Sequence, residues 1–118
     1  MARDPRPTVY LELGRERRSV QLTGVDALAF TVVYSYFRET GRACFTYPTI
    51  LKYYEGYCRR EGLEYKPQTF ERRLRALRAT GVLYSFKGRL GTVFCLQRYL
   101  VVVGFEAVRV PQGVVSGG

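Results

Sequence analysis

The 118-residue sequence contains no histidine and no tryptophan, and only one methionine. Without histidine the chain lacks the commonest general base and every Ser-His or Cys-His catalytic pair, which argues against an enzyme. No apolar run approaches the roughly 18 residues of a membrane-spanning helix, and no apolar segment follows the charged N-terminus as in a signal peptide. We therefore expect a non-enzymatic, intracellular protein with no membrane partner and no evident small-molecule ligand.

Cysteine is scarce as well, with Cys44, Cys58 and Cys95 widely spaced. Three scattered cysteines without a histidine do not make a zinc site, and an odd number argues against a secreted disulfide framework. We interpret all three as small buried hydrophobic residues. The ten acidic residues are dispersed too, whereas a metal-dependent nuclease needs clustered carboxylates. We expect no metal and no cofactor.

Positive charge, in contrast, is abundant and concentrated. The chain carries 19 Lys and Arg against 10 Asp and Glu, a net charge of +9. Residues 66–98 hold eight of the basic groups and one acid, Glu71. Charge of one sign that is not interleaved with acids indicates a polyanion partner. Sixteen of the basic residues are arginine, which favours fork-like contacts with phosphates or bases.

This basic stretch predicts a helix followed by a β-hairpin. Pro67 suits the first turn of a helix and Gly81 the position just past its end, so the helix spans 67–80. The residues of its apolar stripe, spaced at i, i+4 and i+7, are Phe70, Leu74 and Leu77. Two runs rich in β-branched and aromatic residues then flank the basic tip 87–91, which predicts a hairpin over 82–96.

Two more helices precede this unit. Thr23 and Asp26 have the spacing of a capping box, in which each side chain reaches a free N–H, and that helix stops at Gly41. Its core-facing residues are Val25, Leu28, Ala29, Val32, Val33, Tyr36 and Phe37. Thr46 can cap the next helix, which ends at Gly62. The residues of its inner stripe are Ile50, Leu51, Tyr54, Tyr57 and Cys58.

Strands are predicted around these helices. A hairpin covers residues 8–22, and residues 42–45 form a connector that can pair with the later hairpin. Residues 98–110 should extend the sheet, and the apolar run 101–103 is typical of a strand covered on both sides. The remaining segments are a flexible basic arm at residues 1–7 and a frayed tail at residues 111–118.

Three helices and then a hairpin is the order of a winged helix-turn-helix. The sequence therefore predicts a single α+β domain over residues 1–118, with that core at 23–97, an added N-terminal β-hairpin and an added C-terminal strand. Such a domain places the outer face of its third helix in the major groove, where arginine reads guanine and glutamine reads adenine. The predicted DNA contacts are Gln68, Arg72 and Arg75 to bases, Thr69 and Arg73 to phosphates, and Lys87 and Arg89 to a minor groove or phosphate ridge.

These residues also resemble a known family. The stretch Thr69-Phe-Glu-Arg-Arg-Leu74, with Leu77 and Gly81-Val-Leu83, resembles bacterial and archaeal winged-helix regulators. Over roughly residues 24–97 the chain is similar to the C-terminal winged-helix domain of archaeal origin-recognition-type replication initiators. The further residues that carry this similarity are Tyr53-Tyr-Glu-Gly-Tyr-Cys58, Gly62 and Lys87-Gly-Arg-Leu-Gly91, with Leu90 in place of an aromatic residue.

The resemblance implies DNA binding by Thr69, Arg72, Arg73, Lys87 and Arg89. It does not imply origin recognition, and no Gly-x-x-x-x-Gly-Lys-Ser/Thr ATPase loop is present in the sequence. The short basic chain also looks like small regulators of archaeal viruses and plasmids. We expect sequence-dependent binding of double-stranded DNA by a transcriptional regulator or a replication accessory protein.

Two alternatives stay open at this point. The third helix and the hairpin can instead dock on an acidic protein surface, in a domain that assembles proteins and binds no DNA. The terminal strands can also join two copies into a homodimer, whose two helices would read half-sites one helical turn apart. Arg78, at the end of the basic helix, suits the C-terminal helix dipole as well as it suits DNA.

Overall fold

The computed structural model describes residues 7–107, and three helices and six strands make up most of that range. In chain order they are β1 (Pro7–Leu13), β2 (Arg18–Leu22), α1 (Gly24–Thr40), β3 (Cys44–Thr46), α2 (Tyr47–Glu61), α3 (Pro67–Thr80), β4 (Leu83–Gly88), β5 (Gly91–Leu96) and β6 (Leu100–Ala107). The predicted arm and tail lie outside the described residues, except that Pro7 begins β1. The predicted α+β class is confirmed.

The strands form two antiparallel sheets of three strands each. In the first, β1 lies between β2 and β6, and in the second, β5 lies between β3 and β4. Val9, Leu11 and Leu13 alternate along β1 and are all buried, and β1 packs on α1. The second sheet contacts α2 through β3 and β5, and α3 through β4. β3 pairs with β5, which confirms the prediction that the segment after α1 pairs with the later hairpin.

All three helices end at the glycines that the sequence indicated. Gly41, Gly62 and Gly81 have φ values of 75°, 69° and 91°. The N–H of each glycine donates to a carbonyl of the last helical turn, a geometry that requires the left-handed backbone that glycine adopts at little cost. α3 also begins at Pro67, as predicted.

The predicted capping box at the start of α1 is wrong. Thr23 is the N-cap residue, but its side chain makes no capping hydrogen bond. The Asp26 carboxylate instead accepts a hydrogen bond from the Arg73 guanidinium of α3, at 3.1 Å. With Arg73 both partners of the bond are charged, whereas a backbone N–H at the helix start would offer the carboxylate only a neutral donor.

The buried face of α1 is wider than its predicted stripe. Ala27 and Phe30 are fully buried, although neither was expected to face the core, and Val25, Leu28 and Phe37 are only half-buried. The Phe30 ring stacks 6.4 Å from the ring of Phe105 on β6. The first sheet therefore covers a second side of α1. The predicted stripe assumed that α1 packs through one side only, so it left out the residues of this second side.

The predictions for the last strand are partly wrong. β6 is one unbroken strand from Leu100 to Ala107, but it pairs with β1 in the first sheet and does not extend the β4–β5 hairpin. It is an edge strand with a β-bulge at Val103, since Gly104 pairs with Tyr10 and Val102 with Leu11. Val101 and Val103 are 54% and 60% exposed, so the strand is not covered on both sides.

The interpretation of the cysteines as three small buried hydrophobic residues is wrong for Cys44 and overlooks the bond that Cys95 makes. β3 pairs antiparallel with β5 in a register that puts Cys44 opposite Cys95, and the two form a disulfide bond. Cys95 is buried and Cys44 is exposed. Cys58 is a free, buried thiol, as a small buried hydrophobic residue should be. Cys44 and Cys95 are 51 positions apart in the sequence, too far for a local spacing rule to indicate this pairing.

Candidate nucleic-acid interface

α3 has one buried face and one exposed face, as its periodicity predicted. Phe70, Leu74 and Leu77 are buried in the core. The residues exposed on the opposite side are Gln68, Arg72, Arg75 and Ala79. An amphipathic helix without acids on most of its outer face is free to meet a polyanion. The structure therefore brings all three predicted base contacts, Gln68, Arg72 and Arg75, onto one surface.

Aromatic contacts between α2 and α3 fix the angle of this surface. The Tyr54 and Phe70 rings stack with centroids 4.2 Å apart. The Tyr54 hydroxyl accepts a hydrogen bond from the Lys66 N–H, just before α3, and the Tyr47 hydroxyl donates to the Pro67 carbonyl. Burial raises the pKa of Tyr54 to about 12, so the hydroxyl stays neutral in these contacts throughout the physiological pH range.

The exposed arginines of α3 differ in how tightly they are held. Arg75 donates a 2.7 Å hydrogen bond to the Glu71 carboxylate one turn earlier. Arg72 makes a longer contact of 3.4 Å with the Thr69 hydroxyl. Both pairs are exposed, so water screens them and they contribute little to stability. A phosphate or a base can therefore compete for either guanidinium at small cost.

Arg73 and Arg78 are used by the fold itself. The Arg73 guanidinium, bound to Asp26, ties α3 to α1 and is only 31% exposed. Arg78 donates to the Ser85 hydroxyl on β4 at 3.1 Å, so it links α3 to the hairpin. Arg73 therefore lies on a different flank of the helix from Arg75. If Arg73 contacts a phosphate, its guanidinium must do so while it is also paired with the Asp26 carboxylate.

The β4–β5 hairpin forms as predicted and ends in a two-residue turn. Gly88 pairs with Gly91, which leaves Arg89 and Leu90 at the tip. Gly91 has a φ of 122°, a value that side chains rarely tolerate. Lys87 and Arg89 are exposed, and among residues 7–107 neither has a hydrogen-bond or ion-pair partner. These two cations are therefore available to an external anion.

A cleft of about 530 Å³ separates α3 from the hairpin tip. The start of α2 also lines it. Its lining includes Glu71, Arg75 and Arg78 from α3, and Leu90 and Gly91 from the tip. The tip and one flank of the exposed face of α3 thus open onto the same space.

Several residues near this surface were not found by sequence reasoning. Arg18 of β2 donates to the Thr80 carbonyl at the C-terminus of α3, at 3.0 Å, and so satisfies a carbonyl that the helix leaves free. Arg15 lies over the Tyr99 ring at 5.1 Å and donates to its hydroxyl. These contacts join residues 62 and 84 positions apart, and no local pattern indicates them.

No group of three or more potential metal-binding side chains occurs within residues 7–107. The free thiol of Cys58 is buried, and burial raises its pKa, so the thiol stays protonated and is a poor nucleophile. In the same range, no helix combines the length and the apolar character needed to cross a membrane.

The chain has no match among protein-family models, curated proteins or solved structures. The support for the candidate interface therefore comes only from its geometry and its charge.

Proposed function

We propose that the domain is a winged helix-turn-helix that binds double-stranded DNA in a sequence-dependent manner. In this proposal α2 and α3 form the helix-turn-helix, α3 lies in the major groove, and the β4–β5 hairpin is the wing, which contacts the minor groove or phosphates. The observation that carries the proposal is that the arginine-rich α3 and the tip of the hairpin open onto one cleft.

Each candidate residue has a chemical role in this complex. Arg72 and Arg75 donate bidentately to guanine O6 and N7, and Gln68 pairs with adenine N6 and N7. Thr69, near the positive end of the α3 dipole, binds a phosphate. Lys87 and Arg89 neutralise phosphates at the wing. Arg73 acts mainly by holding α3 against α1 through Asp26.

The biological role we propose is that of a transcriptional regulator or replication accessory protein inside the cell. The resemblance to archaeal initiator domains, and to small regulators of archaeal viruses and plasmids, fits this role. Disulfides are rare in the cytosol of mesophiles but common in intracellular proteins of hyperthermophiles. The Cys44–Cys95 bond is therefore compatible with an intracellular protein.

A protein-docking domain is the second candidate, and one observation favours it. Phe86 and Leu90 on the hairpin are 51% and 89% exposed, and apolar side chains of this kind often anchor protein interfaces. DNA binding remains the better-supported function because the cations beside these residues have no partner within residues 7–107. Salt weakens binding to DNA and binding to an acidic protein to different extents, so a salt series can distinguish the two candidates.

The salt dependence of binding tests the proposal. On a labelled random duplex of about 30 base pairs, log K should fall with log salt at a slope of about −5, as expected when five to six phosphates are neutralised. Replacing Lys87 and Arg89 together by alanine should reduce the slope by about 2, one per phosphate contact. Fluorescence anisotropy across a salt series measures both quantities.

A matched control removes two cations from another surface. Arg59 and Arg60 lie on α2 and pair with Glu55 and Glu39. Their double alanine variant should keep most of the slope. No binding of the wild type at low salt would rule out the DNA proposal and direct the search to an acidic protein.

We further propose that two copies pair through β6. Residues 100–105 carry no charged side chain, whereas the whole chain carries +9, so two like-charged copies repel least at this edge. An exposed apolar edge strand is also a ready template for strand pairing, and self-pairing gives a closed two-fold dimer.

Sedimentation measures the mass of the particle in solution. The wild type should sediment at twice the 13.6 kDa chain mass, and Val103→Lys should shift it towards the monomer. Gln21→Lys adds the same charge at an exposed position on β2, away from this edge, and should remain dimeric. A monomeric wild type at micromolar concentration would contradict the dimer and leave the DNA proposal intact.

A further inference from the structure

The tip of the β4–β5 hairpin presents one large apolar side chain to solvent. Leu90 is 89% exposed, the most of any large hydrophobic residue among those described. A single exposed leucine is ordinary on a protein surface. Its surroundings are less ordinary, because Arg89 and Lys87 beside it are cations without a partner in the described chain. The tip therefore combines an apolar end with free positive charge.

The shape of the tip limits what it can contact. The two tip residues, Arg89 and Leu90, lie between Gly88 and Gly91, neither of which has a side chain to widen the hairpin. A narrow basic tip of this kind matches the minor groove, which is about 6 Å wide. Proteins that bind there often insert an apolar side chain between adjacent base pairs and kink the duplex.

We propose that Leu90 is such a wedge. This inference rests on the proposed function: with α3 in the major groove, the wing enters the neighbouring minor groove, Arg89 and Lys87 bind the phosphates, and Leu90 inserts at a base step. Insertion partly unstacks that step and bends the DNA. Flexible pyrimidine–purine steps unstack most easily, so the wedge also adds a preference for such a step.

The position of the tip favours DNA over a lipid surface. Leu90 lines the same cleft as Arg75, so the wedge and a base-reading arginine of α3 can meet one ligand. The strength of peripheral membrane binding scales with the apolar area buried in the lipid, and this tip offers only Leu90 and, further back, Phe86. The described hairpin therefore offers little apolar area to a lipid surface.

DNA bending tests the wedge separately from binding. A duplex of about 30 base pairs labelled at both ends should gain energy transfer when saturated with the wild type, because bending brings the ends together. Leu90→Ala should lose most of that gain and bind about tenfold more weakly, near the lower end of what burial of a leucine contributes. Its salt slope should not change, because no charge is removed.

Two further variants complete the experiment. Leu90→Phe keeps an apolar wedge and should restore bending. Tyr99→Ala removes an exposed aromatic side chain outside both the hairpin tip and β6, and should bend DNA like the wild type. A melting curve for each protein confirms that it is folded.

The outcomes separate the two proposals. If the wild type binds without bending the duplex, or Leu90→Ala bends it fully, the wedge is wrong while DNA binding stands. If the wild type binds no duplex at all, the proposed function fails and the wedge with it. Leu90-dependent binding to phosphatidylserine vesicles in that case would assign the tip to a lipid surface instead.

Discussion

Replacing Arg72 and Arg75 together by alanine should weaken binding to a selected DNA site by on the order of 10²–10³-fold. Each bidentate arginine–guanine contact contributes roughly 1–3 kcal/mol of discrimination, and the two side chains lie on the same exposed face of α3. Folding should change little, because both arginines are exposed and their contacts with Thr69 and Glu71 are local. Anisotropy titrations on a site selected from a random pool would measure the effect.

Two comparisons separate base reading from simple charge loss. The Arg59→Ala/Arg60→Ala variant loses the same charge from α2 and should bind the selected site within a few-fold of the wild type. The Arg72→Lys/Arg75→Lys variant keeps the charge but loses the planar fork, so it should bind random DNA well and discriminate poorly. Equal losses in the α2 variant and the α3 alanine variant would show that these arginines act only through their charge.

Removing the disulfide should lower the free energy of unfolding by about 4 kcal/mol. The Cys44→Ala/Cys95→Ala variant releases a loop closed over 51 residues, and the entropy that the bond removes from the unfolded chain grows with loop length. The bond also fixes the short β3 to β5, at the base of the β4–β5 hairpin. Urea denaturation followed by circular dichroism would give the change directly.

Reduction of the wild type provides the matched test of this prediction. A reducing agent should lower the wild-type midpoint to near that of the double variant, and should leave the variant itself unchanged. Cys58→Ala removes the free buried thiol, so this variant should remain sensitive to reductant. A wild-type midpoint that is the same with and without reductant would show that the bond adds no stability.

The local features of this protein could be predicted from the sequence. Glycines set the helix ends at 41, 62 and 81, because each residue there must take a left-handed backbone that depends on its immediate neighbours alone. The exposed face of α3 follows equally from the spacing of its apolar residues. The exposure of Gln68, Arg72 and Arg75 could therefore be inferred without coordinates, as could the hairpin at residues 83–96.

Contacts between distant segments could be decided only by the tertiary structure. Whether Asp26 caps α1 or binds Arg73 depends on how α1 packs against α3, and the burial of Phe30 depends on β6 reaching α1 from the other side. Cys44 meets Cys95 because of the β3–β5 register, which neither segment fixes alone. The periodicity of a sequence depends on residues that are neighbours in the chain. These pairings depend instead on the free energy of the whole packed domain, so they could not be predicted from the sequence.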